Sequence, residues 1–220
     1  MGRQSNKKSR RVYRWLAVIV LAIIILNIRL VEDIGFDRKP SDRFTVVAII
    51  DGDTVELTGG DRLRLLCIDT PEEGEPYYEE AKSFLVQTVL GKQARIEFAA
   101  VRRDRYGRLL GYLYIDSLLI NEEIVERGLG NVYLFRDTDM GRIETLRILQ
   151  AQRQAMSERL GIWSVEREPE AYYVAGNDSY RFHRPGCRSA ANFQEGKFRR
   201  FKTRDEAMSR GLSPCRNCRP

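Results

Sequence analysis

RLRLLCIDTPE, residues 62–72, is a strand that breaks two rules of strands. Leu63, Leu65, Leu66, Cys67 and Ile68 form an apolar run, yet Arg64 is threaded through it. The run then stops on two carboxylates, Asp69 and Glu72, around a Thr-Pro corner. Upstream, FTVVAII (44–50) is β-branched, DGD (51–53) is a turn, TVEL (54–57) a second strand and TGGD (58–61) another turn. With RLRLLCI (62–68) these predict a three-strand meander.

Working outward, YYEEAKSFLVQTVL (77–90) has apolar residues at helical spacing after Pro76 and stops at Gly91. QARIEFAAV (93–101) and RLLGYLYI (108–115) read as strands, joined by the charged connection RRDRYG. NEEIVERG (121–128) reads as a short helix with Asn121 as N-cap and Gly128 past its end. Residues 141–159 read as a longer amphipathic helix before GIW (161–163). Five short strands and three helices fit an α+β, mainly β chain. A small closed OB-type barrel is compatible with this order, and a generic α+β sheet fits nearly as well.

The 220 residues are 43% hydrophobic, enough for a packed core, which excludes global disorder. A net charge of +6 suits an anionic partner, nucleic acid or a lipid surface. The N-terminal segment stands apart. Six Lys and Arg residues precede WLAVIVLAIIILNI (15–28), and acidic residues begin only at Glu32. Counted from Val12 to Val31, the apolar segment reaches the roughly 20 residues that a membrane span needs. Its flanking charge predicts an uncleaved signal anchor over residues 1–31, with the N-terminus inside and the rest extracytoplasmic. A buried core helix and a secreted form released by cleavage are the alternatives. Residues 32–43 read as a linker.

Within 51–72, Asp53 and Asp69 meet if strands two and three pair. Two carboxylates with a backbone carbonyl and waters suit a hard cation such as Ca²⁺. Glu72 then acts as general base, and Arg64 and Arg108 clamp a phosphate, since a guanidinium fork matches phosphate bidentately. These are the parts that phosphodiester hydrolysis needs. The plain alternative is a turn Asp-Gly-Asp beside an Arg64–Asp69 ion pair. Cys67 reads as a small buried hydrophobe.

DGDTVEL, RLRLLCIDTPE, DRYGRLLGYLY, INEEIVERGLGNVY and LGIW, in this order over residues 44–164, resemble the staphylococcal nuclease (thermonuclease) family. The resemblance implies an OB-fold, Ca²⁺-dependent nuclease that cuts DNA and RNA at the 5′ P–O bond. It makes Asp53 and Asp69 calcium carboxylates, with the Thr70 carbonyl as a further ligand. It makes Glu72 the base and Arg64 and Arg108 the phosphate clamps. It assigns Arg105 and Tyr106 to a terminal phosphate and Tyr133 to base stacking. A lysine is more usual at Arg105, and the EGEPYYEE loop is shorter and more acidic than in the founding enzyme.

After a linker (165–176), residues 177–220 carry His183, Cys187, Cys215 and Cys218, as H-x3-C and C-x2-C. Two short pairs of N and S donors suit a tetrahedral zinc site. A disulfide among these cysteines is the competing reading. KFRRF (197–201) reads as a strand, and Thr203 with Glu206 as the capping box of a helix that Gly211 ends. FHRPGCRSA and TRDEAMSRGLSPCRNCRP resemble the zinc-binding domain of the Ada DNA-repair protein. There the first ligand is a methyl-accepting cysteine. Here it is His183, so only a structural zinc module carries over. Arg181, Arg184, Arg188, Lys197, Arg199, Arg200 and Lys202 suggest a nucleic-acid face or a merely solvated basic surface.

The expected protein is therefore a membrane-anchored nuclease acting on DNA and RNA, with Ca²⁺ catalytic and Zn²⁺ structural. No motif calls for an obligate protein partner. The alternatives are a non-cutting module that tethers nucleic acid at the membrane and a structural envelope protein without calcium dependence.

Overall fold

The β-branched and leucine-rich runs form strands that close on themselves. The structure is a computed structural model and describes residues 43–135, 140–194 and 196–220. Strands β1 (Arg43–Ile49), β2 (Thr54–Leu57) and β3 (Arg62–Leu65) form the expected antiparallel meander. Strand β5 (Gln93–Arg103) pairs antiparallel with β1 and with β6 (Leu109–Ile115). A parallel pairing of β6 with β3, Arg64 opposite Leu110, shuts the ring into a five-stranded barrel consistent with the OB fold. Closure removes the sheet edges and turns one face of every strand inward. Val46, Val55, Leu57, Leu63, Leu65, Ile96 and Leu113 fill the interior.

The opening stretch does not run as one strand to Ile68. It breaks after Leu65, and Cys67 takes a left-handed backbone (φ 62°). The break is held from several sides. Leu66 N–H donates to the Gly111 carbonyl (2.9 Å), and the Cys67 carbonyl accepts from Tyr133 N–H (2.8 Å). Cys67 Sγ lies buried 3.2 Å from Tyr112 Oη. The chain resumes as β4 (Ile68–Asp69), which pairs with β8 (Asn131–Val132) outside the barrel.

Three helices cover the barrel: α1 (Tyr78–Val89), α2 (Ile120–Glu126) and α3 (Ile143–Ser157). Strand β7 (Leu118–Leu119) leads directly into α2. Asn121 is not its N-cap. It lies one residue inside the helix, fully buried, accepting from Leu113 N–H (2.9 Å) and donating to the Leu66 carbonyl (2.9 Å). A buried amide satisfied on both sides binds β6 to the break after β3. The chain reverses after α2 at Gly128, where a Cβ would lie 2.2 Å from the Leu160 carbonyl oxygen.

The stretch 165–176 ends in a strand, β9 (Tyr173–Gly176), antiparallel to β11 (Phe198–Phe201). Helix α4 (Arg204–Ser209) starts as the capping motif requires, with Thr203 Oγ1 accepting from Glu206 N–H (3.0 Å). The Glu206 carboxylate reaches back one residue further than expected, to Lys202 N–H (2.8 Å). Strand β10 (Arg181–Phe182) pairs parallel with β12 (Ser213–Pro214).

This C-terminal part does not make its core alone. Phe182, Phe201, Ala207, Met208 and Leu212 share a cluster with Ala155, Met156 and Trp163. Gln152, fully buried on α3, accepts from Val132 N–H (2.7 Å) and donates to the Met208 carbonyl (2.6 Å). Among the described residues no helix is long and apolar enough to cross a membrane. The expected anchor, residues 1–31, lies outside them.

Candidate nuclease site and candidate metal centre

The barrel site begins at the bend between β1 and β2. Asp53 N–H donates to Asp51 Oδ1 (3.0 Å), a local turn of the kind that aspartate favours. Gly52 is required by close approach: a Cβ there would lie 2.7 Å from Thr70 Oγ1 and 2.8 Å from the Ala81 Cβ. The bend turns Asp53 inward, where it is buried and accepts from Thr54 Oγ1 (3.1 Å) and Thr70 N–H (3.2 Å).

Asp69 arrives on β4, positioned by its pairing with Asn131. Gly130 lets the two segments touch, since a Cβ on it would lie 2.9 Å from the Asp69 carbonyl oxygen. Arg64 projects from β3 between the two acids. Its Nη2 lies 2.8 Å from Asp53 Oδ2 and 3.1 Å from Asp69 Oδ1, and its Nη1 donates to the Leu65 carbonyl (2.6 Å). Two carboxylate oxygens thus converge on one cationic nitrogen. Burial pushes the Asp53 carboxyl up to about 7, against the pull of Arg64 and with Asp51 and Asp69 adding to the rise. The guanidinium therefore offsets only part of the cost of burying this acid.

Glu72 stands on the exposed loop beyond, its N–H donating to Glu75 Oε2 (3.0 Å). Arg108 is held elsewhere: its Nε and Nη2 each lie 2.8 Å from Asp104 Oδ2. Asp104 Oδ1 also accepts from the N–H groups of Tyr106 (2.9 Å) and Arg108 (3.0 Å). Among the described residues no ion pair or hydrogen bond joins Arg108 to Asp53, Arg64 or Asp69. Arg105 donates to Tyr106 Oη (2.6 Å) on the same exposed hairpin. The Tyr133 ring is covered by Arg181 (3.5 Å to its centroid), with Arg216 at 5.4 Å.

The second centre is made by the C-terminal part. The ligand atoms of His183, Cys187, Cys215 and Cys218 all lie within 4.8 Å of one another, and the cysteines are free thiols. Among the described residues this is the one group of three or more Cys, His, Asp or Glu side chains that converges in this way. A tetrahedral zinc with Zn–S near 2.3 Å sets sulfurs about 3.8 Å apart, so the spacing fits. His183 Nδ1 is buried without a hydrogen-bond partner, and burial lowers the imidazole's proton affinity. A neutral imidazole with an orphaned nitrogen, grouped with three thiols, has the chemistry of a metal ligand. Burial raises the Cys187 thiol, but hydrogen bonds from Cys218 and Ser189 outweigh it and hold Cys187 below its ordinary value. Arg184 N–H donates to Cys218 Sγ (3.4 Å), a bond of the kind that supports a metal-bound thiolate.

Three of the seven basic residues named for this part are engaged in structure. Arg181 donates to the Leu134 carbonyl (2.9 Å), Arg184 pairs with Glu170 (2.8 Å), and Arg199 donates to the Ser179 carbonyl (2.7 Å). A cation that reaches the barrel site is one that sequence reasoning passed over. Arg216, inside the C-x2-C loop, lies 2.9 Å from Asp69 Oδ1. The only signal for it is its place between two ligand cysteines in PCRNCRP.

The fold and the site together define an OB-type barrel with a cation-holding acidic pair beside arginines. Residues 62–165 match the family model described as staphylococcal nuclease homologue. The thermonuclease of Staphylococcus hyicus is 29% identical over 170 residues, covering 70% of this chain and 99% of that protein. Endonuclease YncB of Bacillus subtilis is 33% identical over 138 residues, covering 58% of this chain and 64% of that protein. The SPbeta prophage-derived endonuclease YokF of the same organism is 34% identical over 130 residues, covering 54% and 43%. Over residues 62–165 the chain is thus similar to staphylococcal nuclease homologues, and these relatives support a nuclease hydrolase.

Proposed function

We propose that the chain is a calcium-dependent nuclease, held at the membrane by residues 1–31, that hydrolyses DNA and RNA phosphodiesters with little sequence specificity. The observation that carries this reading is the convergence of Asp53 and Asp69 on one cation position, with Glu72 exposed beside it. Oxygen donors of this kind fit Ca²⁺, which when bound neutralises phosphate charge and lowers the pKa of a water.

The chain's own residues supply the rest. Glu72, on the open loop, accepts the proton of the attacking water. Arg64 exchanges its carboxylate partners for phosphate oxygens as negative charge builds on phosphorus. Arg108, preset by Asp104, offers a second guanidinium. The phosphorus–oxygen bond to the 5′ carbon breaks, and the leaving alkoxide takes a proton from solvent. The Cys/His set holds a structural Zn²⁺. The charge asymmetry around residues 15–28 supports an extracytoplasmic barrel.

The test uses the full-length chain, purified in detergent, with a labelled single-stranded DNA. Cutting in Ca²⁺ should stop in chelator and fall at least about a hundredfold in Arg64→Ala/Glu72→Gln. Binding without cutting in any condition would leave a tethering module as the account.

A further inference from the structure

The groove at the barrel's acidic corner is not built by the barrel alone. It encloses about 640 Å³ between Asp69, Thr70 and Glu72 on one side and Cys215, Arg216 and Arg219 on the other. The second wall belongs to the loop that carries two of the four Cys/His donors.

Arg216 Nη2 lies 2.9 Å from Asp69 Oδ1 and 4.0 Å from Glu72 Oε1. Its side chain is 62% exposed, against 13% for Arg64. The loop beneath it is fixed. Cys215 N–H donates to the Phe182 carbonyl (2.9 Å), and Arg219 N–H to the Cys215 carbonyl (2.9 Å). Ser213, fully buried, donates through Oγ to the Val132 carbonyl (3.0 Å) on the barrel side. Cys215 and Cys218, one and two residues from Arg216, would clamp its backbone further with a metal bound. The guanidinium is thus delivered to one place, beside Tyr133 and at the groove's open face.

The groove needs that charge. Asp69, Glu72 and Glu75 would repel a polyanion, and Arg219, 3.6 Å from Glu75 Oε1, answers only the last of them. Arg64 is enclosed by Asp53 and Asp69, and Arg108 is tied to Asp104. Once a cation takes up the charge of Asp69, Arg216 loses its partner and turns a planar fork of donors toward the groove. We propose that Arg216 is a substrate-binding residue of the nuclease site, exchanging Asp69 for a phosphate oxygen of the bound strand. The Cys/His module thereby supplies part of the barrel's phosphate-binding surface. This inference rests on the nuclease reading above.

The experiment compares the full-length wild type with Arg216→Gln and Arg216→Lys. Cleavage of single-stranded DNA in Ca²⁺ gives kcat and KM. Anisotropy of the same oligonucleotide over a salt series, in a Glu72→Gln background, gives the binding slope. Arg216→Gln should raise KM about tenfold, the worth of one charge-assisted hydrogen bond, with kcat within about twofold. The slope of log K against log salt should shrink by about 0.7, the value for neutralising one phosphate fewer on a single strand. Arg216→Lys should restore the slope and only part of the affinity. Unchanged KM and slope in Arg216→Gln would overturn the proposal. So would a rise in kcat/KM, which would make Arg216 a plug on Asp69. A wild type that does not cut would sink the nuclease reading separately, and the salt slope would still decide whether Arg216 touches phosphate.

Discussion

The chain builds two candidate cation sites by opposite means. At the barrel, two carboxylates from separate turns converge on an open groove, and arginines hold their charge. In the C-terminal part, four soft donors in two short motifs close around a point within 4.8 Å, three of them buried. An open site of hard oxygens leaves room for water and substrate. A closed N/S site has no position for either and serves structure. The difference teaches that an open catalytic site and a closed scaffolding site would ask different geometry of the same element of chemistry, a cation. Here the scaffold also reaches back to the open site through Arg216.

The strongest way to break this comparison is to remove the closed site. Cys215→Ser should take zinc content from one per chain to none. It should melt the cluster around Phe182, Phe201 and Met208, because metal binding in such modules supplies about 10–16 kcal/mol of folding free energy. Elemental analysis reads the first effect and the fluorescence of Trp163 the second. The barrel should keep its kcat while KM rises as in Arg216→Gln. A fall in kcat instead would show that the closed site supports the barrel's chemistry and not only its binding surface.

A milder test cuts the seam between the two regions. Gln152→Ala orphans the buried Val132 N–H, removes one donor from the Met208 carbonyl, which keeps Gly211 N–H, and leaves a small cavity. The expected cost is about 2–4 kcal/mol, read as a lower denaturant midpoint. An unchanged midpoint would mean that the seam is held by the apolar cluster alone.

The smallest effect concerns the hairpin that presets Arg108. Burial is the largest single influence and raises Asp104, but Arg108 and the N–H groups of Arg108 and Tyr106 together outweigh it, so the folded carboxyl sits below its ordinary 3.8. Its stabilising contribution is therefore complete above that value and is lost as pH falls through the lower folded one. Amide shifts of Tyr106 and Arg108 should stay constant down to about pH 4 and move only below it. Movement at higher pH would mean that Asp104 is not the anchor.

Much of this was legible in the residues. β-branched and apolar runs bounded by turn chemistry place all five barrel strands, because branched side chains suit a pleated surface and a tight turn needs Asp, Asn or Gly. The capping of α4 by Thr203 was readable for the same local reason. The break at Cys67 was not, because an apolar run carries no mark of where it leaves the sheet. What ends β3 is a set of bonds to Gly111 and Tyr133, both far along the chain. Asn121 misled in the same way, since an asparagine before a helix looks like a cap until two distant backbone groups claim it.

By itself the sequence determined the two motifs, their donor types and where the five barrel strands lie along the chain, since these depend on neighbours a few residues apart. Only the tertiary structure decided that Arg216 meets Asp69 across 147 residues. That meeting is created by the packing of the Cys/His module on α3 and β8, and no local pattern encodes a distance that the chain closes only when its two cores come together.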